Sequence, residues 1–517
     1  MSAKATLARF DAAAVDAIFA GLDSGHAPGA AVGIAIGGVP VYRKAFGLAN
    51  VELPALLTPQ MRMRIGSTTK HFACLTYLLL CEDGLAGIDD PVERHLPEVN
   101  AVMHGITMRQ LMTHTGGQRD MLAATLLTNG LAAPVTEAAM VAYYRDIASV
   151  DFAPGTAWSY NNGGYMLLGT AIERIAGAPL GEVLAARIFG PAGMHDTVLR
   201  RWDRDFLRNS ATLHMVDGAG GFVRDTMAME LGAPGGVVST VDDMLRWLAQ
   251  LDAPVVGSAA TWAAMRAPAV LSSGVSTGYG LGLMTVPYRG VETLTHGGNV
   301  IGGNSQMIKV PSAGLDITIA ANRADAVAAD LANKVIDLLV EGLEPAWASA
   351  AEPVSGVFVS PATGRVVELS ARGETQLFSL DGSGALPTER DAEGTLHLPA
   401  IARFLQTTFH PGVRELNEFG RIDRFEPVEP ERDATIGARA GIYRSAELGA
   451  EAVVAEGRMT VTGRYGRMAF ALTPLTGTIW RAAGEGVLAS IAGIVTFAED
   501  GFEISFTRLK RVRFTRA

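Results

Sequence analysis

The chain has 517 residues, of which 48% are hydrophobic and 19% are charged, and its formal net charge is −10. At about 150 residues per domain this length predicts roughly three domains, and the apolar content excludes wholesale disorder. The acidic balance argues against nucleic acid and anionic membranes as partners, because the one short basic run lies at residues 508–511.

The two cysteines, Cys74 and Cys81, indicate free thiols rather than a disulfide framework. They belong to an apolar stretch that is predicted to be helical, where they would lie about 10.5 Å apart along the axis, too far to bridge. The chain begins without the apolar core of a signal peptide, and it has no run of about 18 apolar residues that could span a membrane. We therefore expect a cytoplasmic protein with buried thiols.

Helical and strand patterns alternate up to residue 345, which predicts a three-layer α/β domain over residues 1–345. The predicted strands lie at the two ends of this domain and belong to one sheet; they cover residues 31–36, 39–46, 291–294, 305–310 and 316–321. The predicted helices lie mainly between them, at residues 12–22, from Ser67 onward, and at 108–111, 136–145, 165–175, 180–188, 241–251 and 327–342.

After residue 345 the pattern changes to short alternating runs separated by Gly, Pro and Asp, which is typical of β-structure. The sequence of residues 356–360 recurs 85 positions later, at 441–445, as a strand-like repeat. Eighty-five residues at 8–12 per strand give about eight strands. We predict two small antiparallel β-barrels, over residues 346–432 and 433–517. The alternative interpretation is one larger β-domain in which the strand similarity is coincidental.

Ser67 and Lys70 form an S-x-x-K pattern in the first turn of a predicted helix, so their side chains share one face. A serine at a helix N-terminus is close to the positive end of the dipole, which favours a developing oxyanion. A buried lysine has a lowered pKa, and its neutral amine could take the hydroxyl proton. A helix-capping serine with a solvated lysine is the alternative that this spacing alone leaves open.

Two further segments carry polar groups suited to the same chemistry. Tyr160 and Asn162 form Y-x-N at a turn before a helix, and a phenol beside a lysine ammonium can shuttle protons. His296 follows a predicted strand and is expected to hydrogen-bond or share protons with Tyr160. The glycines after it, including Gly298, let a substrate backbone approach closely.

The order and spacing of these segments resemble the serine β-lactamase and penicillin-binding-protein-like hydrolases, whose pattern is S-x-x-K, Y-x-N and K/H-x-G. The similarity extends through residues 107–117, 191–194 and 235–240, and it covers about residues 10–340. It implies a three-layer domain in which helices flank an antiparallel sheet.

The resemblance also implies a role for each matching residue. Ser67 is the nucleophile that forms an acyl-enzyme, and Lys70 and Tyr160 share general acid and base work. Asn162 lines the site and bonds Lys70 or the substrate amide. His296 replaces the more usual lysine, and the N–H groups of Ser67 and Asn299 form the oxyanion hole. No metal and no cofactor is implied.

A histidine in H-x-G lacks the permanent charge that attracts a substrate carboxylate. Together with two trailing barrels, this resembles the D-aminopeptidases, which release N-terminal D-residues such as D-Ala from small peptides, amides and esters. In that family a loop of the last barrel closes the pocket with a carboxylate that pairs the substrate ammonium. Glu485 is the best candidate for this carboxylate, and a solvated turn glutamate is its alternative.

Two other functions stay open. An esterase or another peptidase of the same superfamily would share the Ser67 machinery and differ in its pocket lining. A non-catalytic sensor would need an output segment, such as a membrane span, and none is visible in the sequence. The barrels could also serve as a dimer surface, which leaves a homodimer open.

Overall fold

The computed structural model describes residues 2–217, 219–224, 226–347, 352–399, 405–431, 433–485 and 491–517. Every α-helix within these ranges precedes residue 340. The helices are α1 Ala3–Arg9, α2 Ala12–Phe19, α3 Thr69–Glu82, α4 Val92–His95, α5 Met108–Met112, α6 Met121–Asn129, α7 Glu137–Ala142, α8 Asn162–Ala176, α9 Leu180–Leu184, α10 Val241–Gln250, α11 Ala259–Arg266 and α12 Ala328–Leu339. Within the described ranges, no helix has the length and apolar character that a membrane crossing needs.

The strands of this part are β1 Ala30–Ile36, β2 Val39–Phe46, β3 Leu48–Asn50, β4 Ala55–Leu56, β5 Met63–Arg64, β6 Val198–Leu199, β7 Met215–Val216, β8 Phe222–Val223, β9 Val237–Ser239, β10 Met284–Tyr288, β11 Val291–Val300, β12 Gly303–Val310 and β13 Leu315–Ala321. Six of them form the main sheet in the order β10-β11-β12-β13-β1-β2, with every neighbouring pair antiparallel. One sheet built from the two ends of the domain is thereby confirmed.

Both faces of this sheet are covered, because alternate residues of β1 enter two different cores. Val32 and Ile34 lie in one core with Phe19 of α2. Ala35 lies in the other core with Trp247 of α10. Successive side chains of a strand point to opposite faces, so a strand buried on both faces needs a helical layer on each side. The predicted three-layer architecture is confirmed.

The sequence pattern does not predict the edge strand β10 or the helix α6. Pro287 interrupts the pattern of β10. Proline has no backbone N–H to donate, and it is tolerated in an edge strand because one side of that strand has no neighbouring strand to bond. Most side chains of α6 are buried, so this helix lacks the one-sided apolar stripe by which a helix is recognised.

The middle part, after α12, contains two five-stranded antiparallel sheets. Thr388 alone separates β17 from β18, and Phe425 alone separates β22 from β23, so each edge strand continues from one sheet into the other. The two sheets therefore enclose one apolar core, like a barrel with two corners. The strands are β14 Gly356–Val359, β15 Val366–Arg372, β16 Thr375–Leu380, β17 Leu386–Pro387, β18 Glu389–Arg390, β19 Leu396–His397, β20 Thr407–His410, β21 Glu415–Glu418, β22 Arg421–Arg424 and β23 Glu426–Val428.

The last part is a closed eight-stranded antiparallel barrel, as predicted. The repeat falls on the first strand of each unit, β14 and β24, and a left-handed glycine follows each of them, Gly364 and Gly449. The boundaries at residues 345 and 432 stay predictions. The barrel strands are β24 Gly441–Ser445, β25 Ala450–Ala455, β26 Arg458–Thr462, β27 Arg467–Pro474, β28 Ile479–Gly484, β29 Ala492–Ala498, β30 Gly501–Phe506 and β31 Leu509–Arg516.

Both β-units dock on the first domain. The Gly463 N–H of the last barrel donates to the Thr128 carbonyl of α6 at 2.7 Å. Phe419 of the middle unit packs on Trp158, with ring centroids 5.0 Å apart. The trailing domains are therefore placed where they can shape the pocket that Tyr160 lines.

Candidate active site

Ser67 lies in the 3₁₀ turn Gly66–Thr68, which leads directly into α3. Gly66 has a φ of 52°, a left-handed conformation that glycine adopts without steric cost. Gly298 of β11 passes so close to this turn that a Cβ atom there would lie 1.9 Å from the Ile65 carbonyl oxygen. The Ser305 hydroxyl donates to the same oxygen at 2.9 Å. Because Gly298 has no side chain, the Ser67 turn packs directly against the sheet.

Lys70 is fully buried one helical turn after Ser67, and its Nζ contacts three oxygen atoms. The Asn162 Oδ1 is at 2.9 Å, the Pro234 carbonyl oxygen at 2.7 Å and the Ser67 Oγ at 3.2 Å. The first two can only accept, so they take up two N–H groups. An uncharged amine has two N–H groups and one lone pair, and the lone pair then faces the Ser67 hydroxyl.

The electrostatics also favour an uncharged Lys70. Burial is the largest cause that holds the pKa of Lys70 well below its usual value, and the positive charge of Arg508 lowers it further. The Asp120 carboxylate opposes both effects from behind the site, where it accepts the Asn162 N–H at 3.2 Å. A neutral amine is the form that can take a proton from Ser67.

Tyr160 is buried beside Lys70, whose Nζ lies 4.7 Å from the centre of the phenol ring. Burial raises the pKa of Tyr160 above its usual value, while the Arg508 charge and a hydrogen bond with Ser67 act in the opposite direction. The phenol therefore keeps its proton at neutral pH. A protonated phenol that is bonded to the nucleophile can serve as an acid toward a leaving group.

His296 contacts Tyr279, and its ring centroid lies 6.3 Å from that of Tyr160, so the hydrogen bond or proton sharing with Tyr160 stays a prediction. Its Nε2 is 3.1 Å from the Tyr279 hydroxyl, and its Nδ1 is 2.6 Å from the Gly297 carbonyl oxygen. A nitrogen that faces a carbonyl carries the proton, so we assign the N–H to Nδ1, and Nε2 accepts from Tyr279. Burial lowers the pKa of His296 to about 3, and the ring is uncharged.

Asn299 directs its backbone N–H toward the Ser67 turn. A two-residue turn joins β11 to β12, with Val300 opposite Gly303. In such a hairpin this pair shares backbone hydrogen bonds and the next pair, Asn299 with Asn304, does not. The Asn299 N–H thus faces the outer edge of the strand, and a Cβ on Gly66 would lie 2.9 Å from that nitrogen. This position suits an oxyanion-hole donor.

A cavity of about 350 Å³ opens in front of Ser67 and Tyr160, and all three parts of the chain line it. The first domain contributes β10, β11, β12 and α12. Leu386 comes from the middle unit, and Arg508 comes from the turn between β30 and β31 of the last barrel. The Arg508 guanidinium lies 4.7 Å from the centre of the Tyr160 ring.

Among the described residues of the last barrel, Arg508 lines the cavity and Glu485 does not. Glu485 follows the end of β28, where it is exposed and its carboxylate pairs with Arg458 at 2.6 Å. It is not among the described residues that line the cavity, and residues 486–490 lie outside the described ranges. Among the described residues, the charge that the last barrel brings to the cavity is positive, and an amine-binding role for Glu485 stays a prediction.

Three contributors to the site escape sequence reasoning. Tyr279 lies in a Gly-Tyr-Gly-Leu-Gly segment whose glycines could have signalled a close approach. Pro234 acts through its backbone carbonyl, which no side-chain motif reveals. Arg508 stands in the visible basic run, but its place over Tyr160 depends on how the barrel docks.

Comparison with known proteins identifies the family of the chain. A family model described as Beta-lactamase matches residues 14–341, more than half of the chain. The D-aminopeptidase of Brucella anthropi is 27% identical over 465 residues, which cover 87% of this chain and 85% of that protein. The chain belongs to the beta-lactamase family, and it is a serine hydrolase of the β-lactamase-like superfamily.

Solved structures show the same fold. The octameric penicillin-binding protein homologue from Pyrococcus abyssi aligns with a TM-score of 0.60 at 21% identity, covering 89% of this chain and all of that one. A D-stereospecific amidohydrolase from Streptomyces sp. aligns with a TM-score of 0.52 at 25% identity, covering 64% of this chain and 99% of that one. The match to the Pyrococcus abyssi protein extends into the trailing β-units. At 21% identity it shows similarity of fold alone.

Proposed function

We propose that this protein hydrolyses amide and ester bonds of small substrates through an acyl-enzyme on Ser67, and that its substrates are short peptides, amides or esters with an N-terminal D-residue such as D-Ala. The arrangement of Lys70 carries the proposal. Two of its three contacts are obligate acceptors, so the remaining lone pair is directed at the Ser67 hydroxyl.

In the acylation step the Ser67 Oγ attacks the scissile carbonyl carbon, and its proton passes to the Lys70 amine. The oxyanion that forms accepts hydrogen bonds from the N–H groups of Ser67 and Asn299; losing one such donor typically costs about 3–4 kcal/mol. The carbon–nitrogen or carbon–oxygen bond then breaks, and the leaving group receives a proton from Tyr160, which Lys70 replenishes.

In the deacylation step a water molecule gives one proton to the same pair and attacks the acyl carbon. The Ser67–acyl bond breaks, the proton returns to the Ser67 Oγ, and the acid product leaves. The two steps together consume one water and require no other reactant. In this proposal His296 holds Tyr279 and the strand edge in place through its contacts with the Tyr279 hydroxyl and the Gly297 carbonyl.

The preference for D-residues rests on similarity to the D-aminopeptidase of Brucella anthropi, which spans most of both chains. The first measurement is hydrolysis of D-alanine p-nitroanilide beside its L-enantiomer and its N-acetylated form. Turnover of the free D-form alone supports the proposal. Ser67→Ala must abolish turnover and the mass increase of a trapped acyl-enzyme while leaving the fold intact; turnover that survives in this variant would refute the nucleophile.

A second candidate is an esterase or peptidase of the same superfamily that does not require a free amine. The described residues that line the cavity include no aspartate or glutamate, so none of them would pair a substrate ammonium. Equal turnover of the free and acetylated anilides, or turnover of simple esters alone, would favour this second candidate.

A further inference from the structure

Arg508 is the one formally charged side chain among the described residues that line the cavity. Lys70 lies behind this wall and is fully buried, and burial lowers the pKa of His296 to about 3. The cavity in front of Ser67 therefore has a single fixed positive charge, and the last barrel supplies it.

The guanidinium of Arg508 is available to a ligand. The side chain is exposed, and no described carboxylate lies within ion-pair distance of it, whereas its neighbours Lys510 and Arg511 pair with Asp381 and Glu503. Its contact is with the face of the Tyr160 ring at 4.7 Å. A planar guanidinium that packs on an aromatic ring keeps the N–H groups in its own plane free, and these can donate two parallel hydrogen bonds to a carboxylate.

The turn that presents Arg508 is held in a defined place. Thr507, the first residue of this two-residue turn, has a φ of 52°, which is costly for a β-branched side chain and is retained only where the surroundings enforce it. Behind the turn, the Lys510 carbonyl accepts a hydrogen bond from Arg119 of the first domain. The barrel thus fixes a cation one phenol ring away from the nucleophile.

We propose that Arg508 is a specificity residue that binds a carboxylate of the substrate one or two residues from the scissile bond. This inference rests on the proposed hydrolase function. The carboxylate could belong to the leaving residue, as in a dipeptide with a free C-terminus, or to the acyl residue, as in an acidic side chain. In either case the trailing barrel completes a site that the first domain does not form alone.

The test uses two pairs of substrates that differ only in this charge: D-alanyl-glycine with D-alanyl-glycinamide, and D-aspartate α-p-nitroanilide with D-asparagine p-nitroanilide. Wild type should prefer the anionic member of one pair by about 10- to 100-fold in kcat/KM, the range for a charged hydrogen bond. The first pair reports a carboxylate on the leaving residue, and the second reports one on the acyl residue. Arg508→Gln should abolish this preference, and Arg511→Gln on the same hairpin should retain it.

Several results would overturn the proposal: no charge preference in wild type, an unchanged preference in Arg508→Gln, or an equal loss on both members of a pair, which would assign Arg508 to positioning Tyr160. If wild type cleaves none of the four, the hydrolase proposal for D-residues fails separately. Calorimetric binding of the same compounds to Ser67→Ala then decides the role of Arg508, because tighter binding of the anionic member must vanish in the Ser67→Ala/Arg508→Gln double variant.

Discussion

The Lys70 Nζ donates to the Asn162 Oδ1 at 2.9 Å, and this contact joins the two motifs that lie 92 residues apart in sequence. The backbone N–H of Asn162 donates to the Asp120 carboxylate, which fixes the backbone that carries this side chain. A fixed acceptor on one side and the Pro234 carbonyl on the other leave Lys70 one orientation, with its lone pair toward Ser67. The base is therefore oriented before substrate arrives.

Lys70→Met should remove the base and leave the fold. Methionine fills a similar volume without an ionisable group, so we expect kcat/KM to fall by about 10²–10⁴-fold, the usual contribution of a general base. Circular dichroism and thermal unfolding check the fold, and Lys334→Met, at an exposed position of α12, is the matched control. A Lys70→Met enzyme with most of its activity would show that another group accepts the Ser67 proton.

The acidic limb of the pH–activity profile should depend on Arg508. Burial and the Arg508 charge lower the pKa of Lys70, and activity should be lost as the pH falls through that pKa and the amine becomes protonated. Arg508→Gln removes a positive charge that lowers this pKa, so the pKa rises and the acidic limb moves to higher pH. The kcat/KM of a neutral ester is measured against pH. An unmoved limb in Arg508→Gln would show that the charge does not reach Lys70.

Gly298→Ala should inactivate the enzyme through backbone crowding. The new Cβ would lie 1.9 Å from the Ile65 carbonyl oxygen, so the Ser67 turn must move off the strand and separate from the Asn299 N–H. Loss of an aligned oxyanion donor typically lowers kcat by about 10²–10³-fold. Gly25→Ala, where a Cβ meets nothing within 4 Å, should leave kcat unchanged. An active Gly298→Ala variant would contradict this account of the turn.

The sequence predicts the parts of this molecule whose signals are local. The S-x-x-K spacing places Ser67 and Lys70 on one helix face by helical geometry alone, and the 85-residue repeat marks the first strand of each β-unit. The edge strand β10 escapes prediction because Pro287 breaks its pattern, and α6 escapes because packing buries it on most sides. These features are set by tertiary contacts.

In the candidate site, too, local signals are predictable from the sequence and tertiary contacts are not. Tyr160 and Asn162 carry recognisable motifs, whereas the partner of His296 depends on where Tyr279 falls after folding. Glu485 and Arg508 both lie beside strand ends of the last barrel, and nothing local in the sequence indicates which charged residue lines the cavity. That choice is made by the docking of the barrel on α6, which is a property of surfaces distant in sequence.

The free energy of unfolding should decrease between about pH 5 and pH 8 because the pKa of Glu137 is raised in the folded protein. Arg201 is shared by Glu137, Glu173 and Glu230, and burial raises the pKa of Glu137 from 4.5 to about 8. Between pH 4.5 and pH 8 the folded protein keeps the Glu137 carboxyl protonated, whereas the unfolded chain loses this proton. The contribution of Glu137 to the free energy of unfolding is therefore fully present below pH 4.5 and is lost as the pH rises through 8.

Glu137→Gln should flatten that decline, by about 1.4 kcal/mol at most for each pH unit in the window. Urea unfolding at pH 5 and pH 8 gives the free energies of unfolding of the variant and of Glu182→Gln, an exposed glutamate on α9 that serves as the control. Parallel pH dependence in wild type and Glu137→Gln would contradict the assignment.

Arg119→Ala should lower the free energy of unfolding and reduce the preference of the enzyme for anionic substrates. The Arg119 guanidinium is buried at the contact with the last barrel, where it pairs with Asp151 at 2.8 Å and with Glu447 at 3.2 Å and donates to the Lys510 carbonyl. Removing one partner of a buried pair leaves the other charges uncompensated and typically costs about 3–5 kcal/mol. Because Lys510 lies two residues after Arg508, the turn that carries Arg508 should lose its fixed position.

A matched control exists at the same contact between the first domain and the last barrel. Arg464 pairs with Asp146 at 3.2 Å, and both side chains are half exposed, so Arg464→Ala should cost no more than about 1 kcal/mol. The free energy of unfolding and the anionic-to-neutral kcat/KM ratio are measured for both variants. If Arg119→Ala lowers stability but retains the wild-type ratio, Arg508 is positioned by its own hairpin, and the domain contact serves stability alone.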